Sequence, residues 1–339
     1  MLDVRRAYIL RSILRNQQAF SMAETSNPRC CQFCDRAVAV QYERVLDPQS
    51  LEPFQILVCS QCRHGQTWPV PATMDAYYGP QYHGGRHGFT SNYCARRRLR
   101  LVSQVAGQGG GRRLLDVGCG DGTFLLGAAR AGWAVTGTEM NPDAARAEGL
   151  DVYRSVSELS GQAPFDCITL WHVLEHFADP LAELCAIREL LATSGVLVLA
   201  VPDADGTQAR VWGPYWMHRD VPRHLHHFSR HSLELHLNNA GFTVERWWHG
   251  EFEYDLLGWS QSALNRSLPP PNAFFQILTG RETGTRPVNR FVHTSLGTLF
   301  CGLGLLPTWW GMLFGRSGTL IVAARPAGQS PRKISGTGI

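Results

Sequence analysis

The sequence predicts an α/β fold, a mainly parallel sheet covered by helices on both faces. Three observations carry this. Short apolar runs alternate with helical patterns from about residue 111 to 250. One such run, Leu114-Leu115-Asp116-Val117, ends in the turn Gly118-Cys119-Gly120-Asp121-Gly122, which opens into an apolar helical pattern. The chain of 339 residues is long enough for one core of this kind with additions.

The elements follow in order. A buried strand running through a glycine-spaced turn into a helix N-terminus suits a nucleotide-like ligand, because the turn offers free N–H groups and no side-chain bulk. Trp133 to Glu139 reads as a second strand ending in a carboxylate. Asn141 and Pro142 supply an N-cap and a first-turn proline for a helix from Asp143 to Glu148, stopped by Gly149. A carboxylate about twenty residues past such a turn, at a strand's end, suits the two hydroxyls of a ribose. Phe165 to Trp171 is the fourth strand, followed by His172-Val173-Leu174-Glu175-His176. Asp179 and Pro180 start a helix with Leu181, Leu184, Ile187 and Leu191 on one face, closed by Gly195. Gly195 to Pro202 is a buried strand. Asp220-Val221-Pro222-Arg223-His224-Leu225 and Phe228-Ser229 lead to a helix at Leu233–Asn239, and Gly241-Phe242 begins the next strand. Thr319 to Ala324 reads as the last strand of the same sheet.

The glycines at 118, 120 and 122 do not have the spacing of a dinucleotide fingerprint. They resemble motif I of the class I S-adenosylmethionine (SAM) methyltransferases, in the form Asp-x-Gly-x-Gly. The order glycine turn, acid, His-Val-Leu-Glu-His and Pro-Arg-His-Leu-x-x-Phe-Ser resembles the branch akin to the ubiquinone-biosynthesis O-methyltransferases, over about residues 75 to 250. The resemblance implies a Rossmann-like sheet, mainly parallel with one antiparallel strand, and SAM as cofactor. It puts Glu139 on the ribose and Met140 against adenine, within a cofactor set of Asp116, Gly118, Cys119, Gly120, Glu139, Met140 and Trp171. SAM carries an electrophilic methyl, so the protein must align an acceptor and exclude water. A hydroxyl acceptor also needs a base. His172 and His224 are the first candidates, since imidazole titrates near neutrality, with His176, His226 and His227 behind them. The histidines from His218 to His231 offer metal binding as another reading, with polar loop or cap roles as the commoner one. No Pro-Pro-Tyr follows the fourth strand, which disfavours adenine or amide N-methylation.

Ten cysteines are present, and four fall into pairs of metal-ligand spacing, Cys31-x-x-Cys34 and Cys59-x-x-Cys62. Four thiolates from two turns make a closed tetrahedral zinc site, structural rather than catalytic. Disulfides or a redox pair are the alternatives. No secretory signal is visible, so a reducing cytoplasm is expected and disulfides are disfavoured. Cys30 is a spare, and the remaining cysteines need no role beyond burial.

The net charge of +4 does not mark a dedicated nucleic-acid binder. Arg5, Arg6, Arg11 and Arg15 lie among apolar residues; a frayed extension or a misassigned start ahead of Met22 is preferred there over a membrane or transit helix. Arg96-Arg97-Arg98 and Arg100 read as a solvated helix face, with one arginine or Tyr93 on the SAM carboxylate as the functional reading; Tyr77, Tyr78 and Tyr82 read as cofactor caps or core aromatics. From Phe291 to Gly315 there is no formal charge. That length spans a bilayer, but Pro307 and five glycines interrupt it, so an interfacial helical hairpin with Trp309 and Trp310 at headgroup level stands beside a buried lid or dimer contact.

The chain therefore divides into an extension (1–27), a zinc ribbon (28–73), a helical cap and linker (74–110), a SAM-binding core (111–250), an apolar helical insertion (251–317), the last core strand (318–326) and a disordered tail (327–339). The expected activity is methyl transfer to a small, glycosidic or lipid-like acceptor, at oxygen, in the cytoplasm or peripheral to a membrane. A ribosomal RNA methyltransferase with an RNA-binding ribbon is the rival, and an interaction protein with a relic domain a third reading. The modest charge and apolar insertion weigh against the second, and intact Gly118, Gly120 and Glu139 against the third. Nothing in the sequence sets the oligomeric state.

Overall fold

A computed structural model describes residues 30–78, 90–162, 164–280 and 287–328. The extension at 1–27, Tyr82 and the tail from 329 onward lie outside the described residues. A first helix, α1 (Ser91–Ala106), leads into the larger sheet, whose strands in chain order are β4 (Arg113–Val117), β5 (Ala134–Thr138), β6 (Val152–Tyr153), β7 (Phe165–Trp171), β8 (Leu191–Pro202), β10 (Phe242–His249) and β11 (Thr319–Pro326). Three further strands, β1 to β3, precede them, and β9 belongs with those. The spatial order is β10-β11-β8-β7-β4-β5-β6. β4 to β8 pair in parallel, and β11 is inserted antiparallel between β8 and β10. The chain runs outward from β4 to β6, then returns past β4 to form β7. A crevice therefore opens at the carboxyl ends of β4 and β7, where the winding reverses.

Both faces of this sheet are covered, which is why β7 and β8 are continuous apolar runs. Leu115, Ile168, Leu170 and Leu197 pack under α4 (Pro180–Leu190) and α6 (Arg230–Asn239). Leu114, Cys167, Val196 and Val198 point the other way, under α1 and α2 (Thr123–Arg130). Asp179 caps α4 by accepting from the Ala182 N–H, and Ser229 with Ser232 forms a capping box on α6. Two boundaries differ from expectation. The helix after Asp179 ends at Leu190 rather than at Gly195, because Leu191 already pairs with Phe165 as a strand residue. The short helix α3 (Asp143–Ala147) is capped at Pro142, while the Asn141 N–H turns back to Glu139.

The cysteine-rich segment forms β1 (Val38–Leu46), β2 (Pro53–Cys59) and β3 (Gly65–Trp68), all antiparallel. Its sheet has a fourth strand that the sequence places elsewhere: β9 (His226–His227), from the Pro-Arg-His-Leu segment, pairs with β3. The approach is close. A Cβ at Gly65 would lie 2.8 Å from the His227 Cβ.

The insertion comprises α7 (Phe252–Ser267), α8 (Ala273–Thr279) and α9 (Pro287–Leu313), with α5 (Thr207–Trp212) at its base. Residues 291–315 do not form a hairpin of their own. α9 is a single helix through Pro307, about 40 Å long at 1.5 Å per residue. The expected interruptions serve instead as a contact seam. Gly297 faces the Phe274 ring, Gly304 faces Trp259 and Leu256, and Gly311 faces the Arg316–Ser317 backbone. At a spacing of seven these glycines share one face of the helix. The opposite face exposes Leu299, Leu303, Leu306, Trp309, Trp310 and Leu313. By length and composition alone α9 is able to cross a membrane.

Candidate active site

The glycine turn sits at the carboxyl end of β4. Gly118 has φ of +71°, and a Cβ there would lie 2.5 Å from Val173 Cγ2, so only glycine fits. Gly120 also has positive φ, yet a Cβ would meet nothing within 4 Å: this is the open cradle. The Gly120 N–H donates to Glu139 Oε2 at 3.0 Å, and the Asn141 N–H to Oε1 at 3.3 Å. Glu139 thus stands at the rim of the cradle, with exposed Met140 beside it. The open turn, the rim carboxylate and the exposed apolar neighbour fit a nucleoside cofactor.

The other expected cofactor residues lie deeper. Asp116 is buried beneath the turn and accepts from Thr169 Oγ1 at 2.6 Å; burial pushes its carboxyl up to about 7. Cys119 is buried too. Its N–H is taken by the Thr138 carbonyl, and its sulfur stands where a Cβ on Gly137 would be. Trp171 packs edge-on to Phe124 and carries the Arg98 guanidinium over its ring at 4.9 Å.

Across the crevice, at the end of β7, stands a charged cluster. His172 has φ of +59°, an unusual value for a residue with a side chain. Its Nε2 lies 2.6 Å from Glu251 Oε2, and its ring stacks on Tyr254 at 4.6 Å. Its Nδ1 lies 3.7 Å from Glu175 Oε1, an ion-pair distance rather than a hydrogen bond. Burial alone would lower this imidazole's pKa, but the two carboxylates outweigh burial and push it up to about 9. The upward shift favours the imidazolium, the form that pairs with Glu251 and Glu175. Glu251 is fully buried. Although burial opposes its charge, Arg98 and His172 hold its carboxyl well below the usual range. Arg97 joins the same carboxylate, so Arg97 and Arg98 do not lie on the solvated face that the arginine run suggests. Tyr93 remains exposed.

His224 stands beside this cluster, T-shaped against His176 at 4.6 Å. His224 Nδ1 is 2.9 Å from the His218 carbonyl, and His176 Nδ1 is 3.0 Å from the Arg223 carbonyl. A carbonyl only accepts, so these two contacts form with the hydrogen on Nδ1, and at His176 the Tyr78 hydroxyl meets the same Nδ1. Burial and the adjacent His224 lower His176 to about 4, which keeps it neutral. Glu175, likewise buried, has neither carboxylate oxygen hydrogen-bonded among the described residues; Oε1 is 3.9 Å from His224 Nε2. One ligand atom each from Glu175, His176 and His224 fall within 4.8 Å of one another, a set able to hold a divalent ion or to pass a proton. The Tyr78 hydroxyl reaches His176 at 2.9 Å, whereas Tyr77 reaches Glu52 in the ribbon. His226 and His227 are buried against His64 and Thr67 and do not face the crevice.

The four ribbon cysteines form a second cluster. Sγ separations are 3.6 Å for Cys31–Cys62 and 3.5 Å for Cys34–Cys59 and Cys34–Cys62. Thiolates around tetrahedral zinc, with bonds of about 2.3 Å, stand roughly 3.75 Å apart, far from the ~2.05 Å of a disulfide. None of the ten cysteines is in a disulfide.

Residues 86–246 match the family described as Methyltransferase domain. A ubiquinone biosynthesis O-methyltransferase of Xanthomonas euvesicatoria pv. vesicatoria is 33% identical over 153 residues, covering 40% of this chain and 64% of that protein. Its counterpart in Alkalilimnicola ehrlichii is 38% identical over 115 residues, covering 30% and 47%. The chain thus spans about half to two-thirds of the length of these relatives. Among solved structures, a coclaurine N-methyltransferase bound to N-methylheliamine and SAH aligns with a TM-score of 0.45 at 16% identity, over 73% of this chain and 76% of that one. With the strand order, the glycine turn and the family match in agreement, residues 86–246 are a class I SAM-dependent methyltransferase domain.

Proposed function

We propose that the chain transfers a methyl group from SAM to a hydroxyl oxygen of a small, glycosidic or lipid-like acceptor. The observation that carries this is the pairing of a nucleoside cradle at β4 with the Glu175, His176 and His224 cluster across the same crevice. When bound, SAM supplies a methyl on a sulfonium. Gly118, Gly120 and Glu139 would hold the nucleoside, with Met140 beside the base. His224 Nε2 would take the acceptor's proton, and Glu175 would stabilise the imidazolium that forms. His172, in its imidazolium form, would balance the two buried carboxylates. The Cys31, Cys34, Cys59 and Cys62 set fits structural zinc, which would anchor β3 and so the β9 segment that carries His224 close by.

The lipid-like part of the reading rests on α9. Its exposed leucines and its tryptophan pair suit an interfacial contact, with Arg316 at one margin. The test is labelled methyl transfer from SAM to a phenolic acceptor bearing a prenyl tail, in vesicles and in solution. The expected outcome is faster transfer in vesicles, reduced when Trp309 and Trp310 become Ser. Equal rates in both media for the intact protein would assign α9 to an internal or subunit contact.

A further inference from the structure

α9 turns a continuous apolar stripe outward. Leu299, Leu303, Leu306, Trp310 and Leu313 recur at steps of four and three, so they share one face of the helix, and all are exposed. Exposure reaches 81% at Leu306 and 78% at Leu313. Single exposed leucines are ordinary on a protein surface, whereas an unbroken stripe flanked by Trp309 and Phe314 marks a contact surface. The usual arrangement is inverted, since His293 and Thr308 of the same helix are buried with the glycine seam.

The charges around the stripe have one sign. No charged residue falls between Phe291 and Gly315, and Arg290 and Arg316 stand exposed at its two ends. From Leu256 to Ile339 the chain has eight basic residues and one acid, Glu282. Exposed Arg266, at the end of α7, belongs to the Arg290 end, because α7 and α9 run antiparallel: Ser260 Oγ donates to the Gly297 carbonyl at 2.8 Å, while Gly304 faces Leu256. A second copy of the chain docked on this stripe would set arginine ends against arginine ends, with no acid after Glu282 to pair them. An anionic surface complements them instead. The stripe is also tied to the crevice. α7 packs on α9 through Leu256 and Trp259, and Tyr254 of the same helix stacks on His172.

We propose that α9 docks on an anionic bilayer surface, with its leucines in the acyl boundary, its indole rings at headgroup level, and Arg290 and Arg316 among lipid phosphates. Indole rings suit that boundary, and guanidinium groups pair with phosphate through two parallel hydrogen bonds. The proposal rests on the interfacial part of the proposed function and adds a charge requirement to it: the stripe sets the depth of docking, and the arginines choose the lipid.

The test is co-sedimentation of the full chain, without acceptor or SAM, with phosphatidylcholine vesicles that carry or lack phosphatidylglycerol. The wild type is expected to bind the anionic vesicles at least about tenfold more tightly, an advantage that high salt removes. Arg290→Gln and Arg316→Gln should each weaken anionic binding about fivefold, the scale for one basic side chain at such a surface, and leave neutral binding unchanged. Leu306→Asp should weaken binding to both kinds of vesicle, because it puts a carboxylate into the acyl boundary. All three positions are exposed, so folding is retained, and melting temperature checks this. Equal binding of the wild type to the two kinds of vesicle overturns the proposal, as does a wild type that stays in the supernatant with both. A supernatant form that is dimeric by sedimentation velocity, and monomeric in Leu306→Asp, assigns the stripe to a second copy instead. No methyl transfer is read, so the two readings fail separately. A chain inactive on the prenylated phenol still reports docking, and one that methylates it in solution still fails here if the vesicles do not hold it.

Discussion

Glu139 meets Gly120 across nineteen residues of chain, whereas His172 meets Glu251 across seventy-nine. The first contact joins two neighbouring strand ends, within one strand-turn-helix-strand unit. The second joins β7 to the start of the insertion, and Arg97 and Arg98 bring α1 to the same carboxylate. His224 adds a further segment, tied to the ribbon because β9 pairs with β3. The cofactor side of the crevice is thus a local construction, and the acceptor side is assembled from distant pieces around buried charge. Local geometry tolerates damage elsewhere in the molecule. A buried charge cluster does not, because removing one partner strands the others.

The sharpest way to break that comparison is through the ribbon. Cys59→Ser should lower zinc from about one per chain to a small fraction, because the closed site couples metal binding to folding. Turnover should be largely lost, while SAH affinity stays near wild type. Elemental analysis and calorimetry check the two halves. SAH binding lost in step with zinc would show that the two sides are not separable.

Within the acceptor side, His224→Ala should lower turnover by roughly 10²–10⁴-fold with SAH affinity intact, the usual range for a general base. Glu175→Gln should act in the same direction. EDTA distinguishes the two uses of the cluster. Turnover unchanged by chelation leaves proton removal to imidazole; turnover lost while the ribbon zinc stays at about one per chain, and restored by magnesium, assigns it to a metal on Glu175, His176 and His224. Full turnover in His224→Ala at pH 7 would remove it from the chemistry.

On the cofactor side, Glu139→Ala should weaken SAH by about 1–3 kcal/mol, the scale for unpairing hydrogen-bonded groups, which is roughly 5- to 150-fold in affinity. Thermal stability should hardly change, because Glu139 lies at the rim.

The smallest expected effect is on stability against pH. His172 is raised from 6.5 to about 9 in the folded chain, chiefly because Glu175 and Glu251 outweigh burial. Its contribution is fully present below about pH 6.5 and is lost as pH rises through about 9. The melting temperature of the wild type should therefore fall between pH 7 and 10 more steeply than that of His172→Gln. Parallel slopes in the two proteins would mean that the ion pair contributes nothing to folding.

The pattern of these contacts explains what was legible beforehand. Asp116 through Gly122, Glu139 and the alternating runs specify a strand, a positive-φ turn and the next strand end, all set by neighbours along the chain. The two Cys-x-x-Cys turns are legible for the same reason, since ligand spacing within each pair is short-range. The glycines of α9 were misleading: as single residues they read as interruptions, and only the packing of Phe274 and Trp259 against them shows a seam. The arginine run of α1 misled likewise, since Glu251 lies 154 and 153 residues beyond Arg97 and Arg98.

By itself, then, the sequence determined the α/β sheet, the glycine turn with its rim carboxylate, and a tetrad of thiols at metal-ligand spacing. Each follows from backbone dihedrals, strand periodicity or short-range spacing, which adjacent residues encode. The tertiary structure alone decided that Glu175 and Glu251 surround His172, that β9 completes the ribbon sheet, and that Arg97 and Arg98 meet at the buried Glu251. A residue's charge state depends on its burial and on partners brought from far along the chain, and no local pattern carries that information.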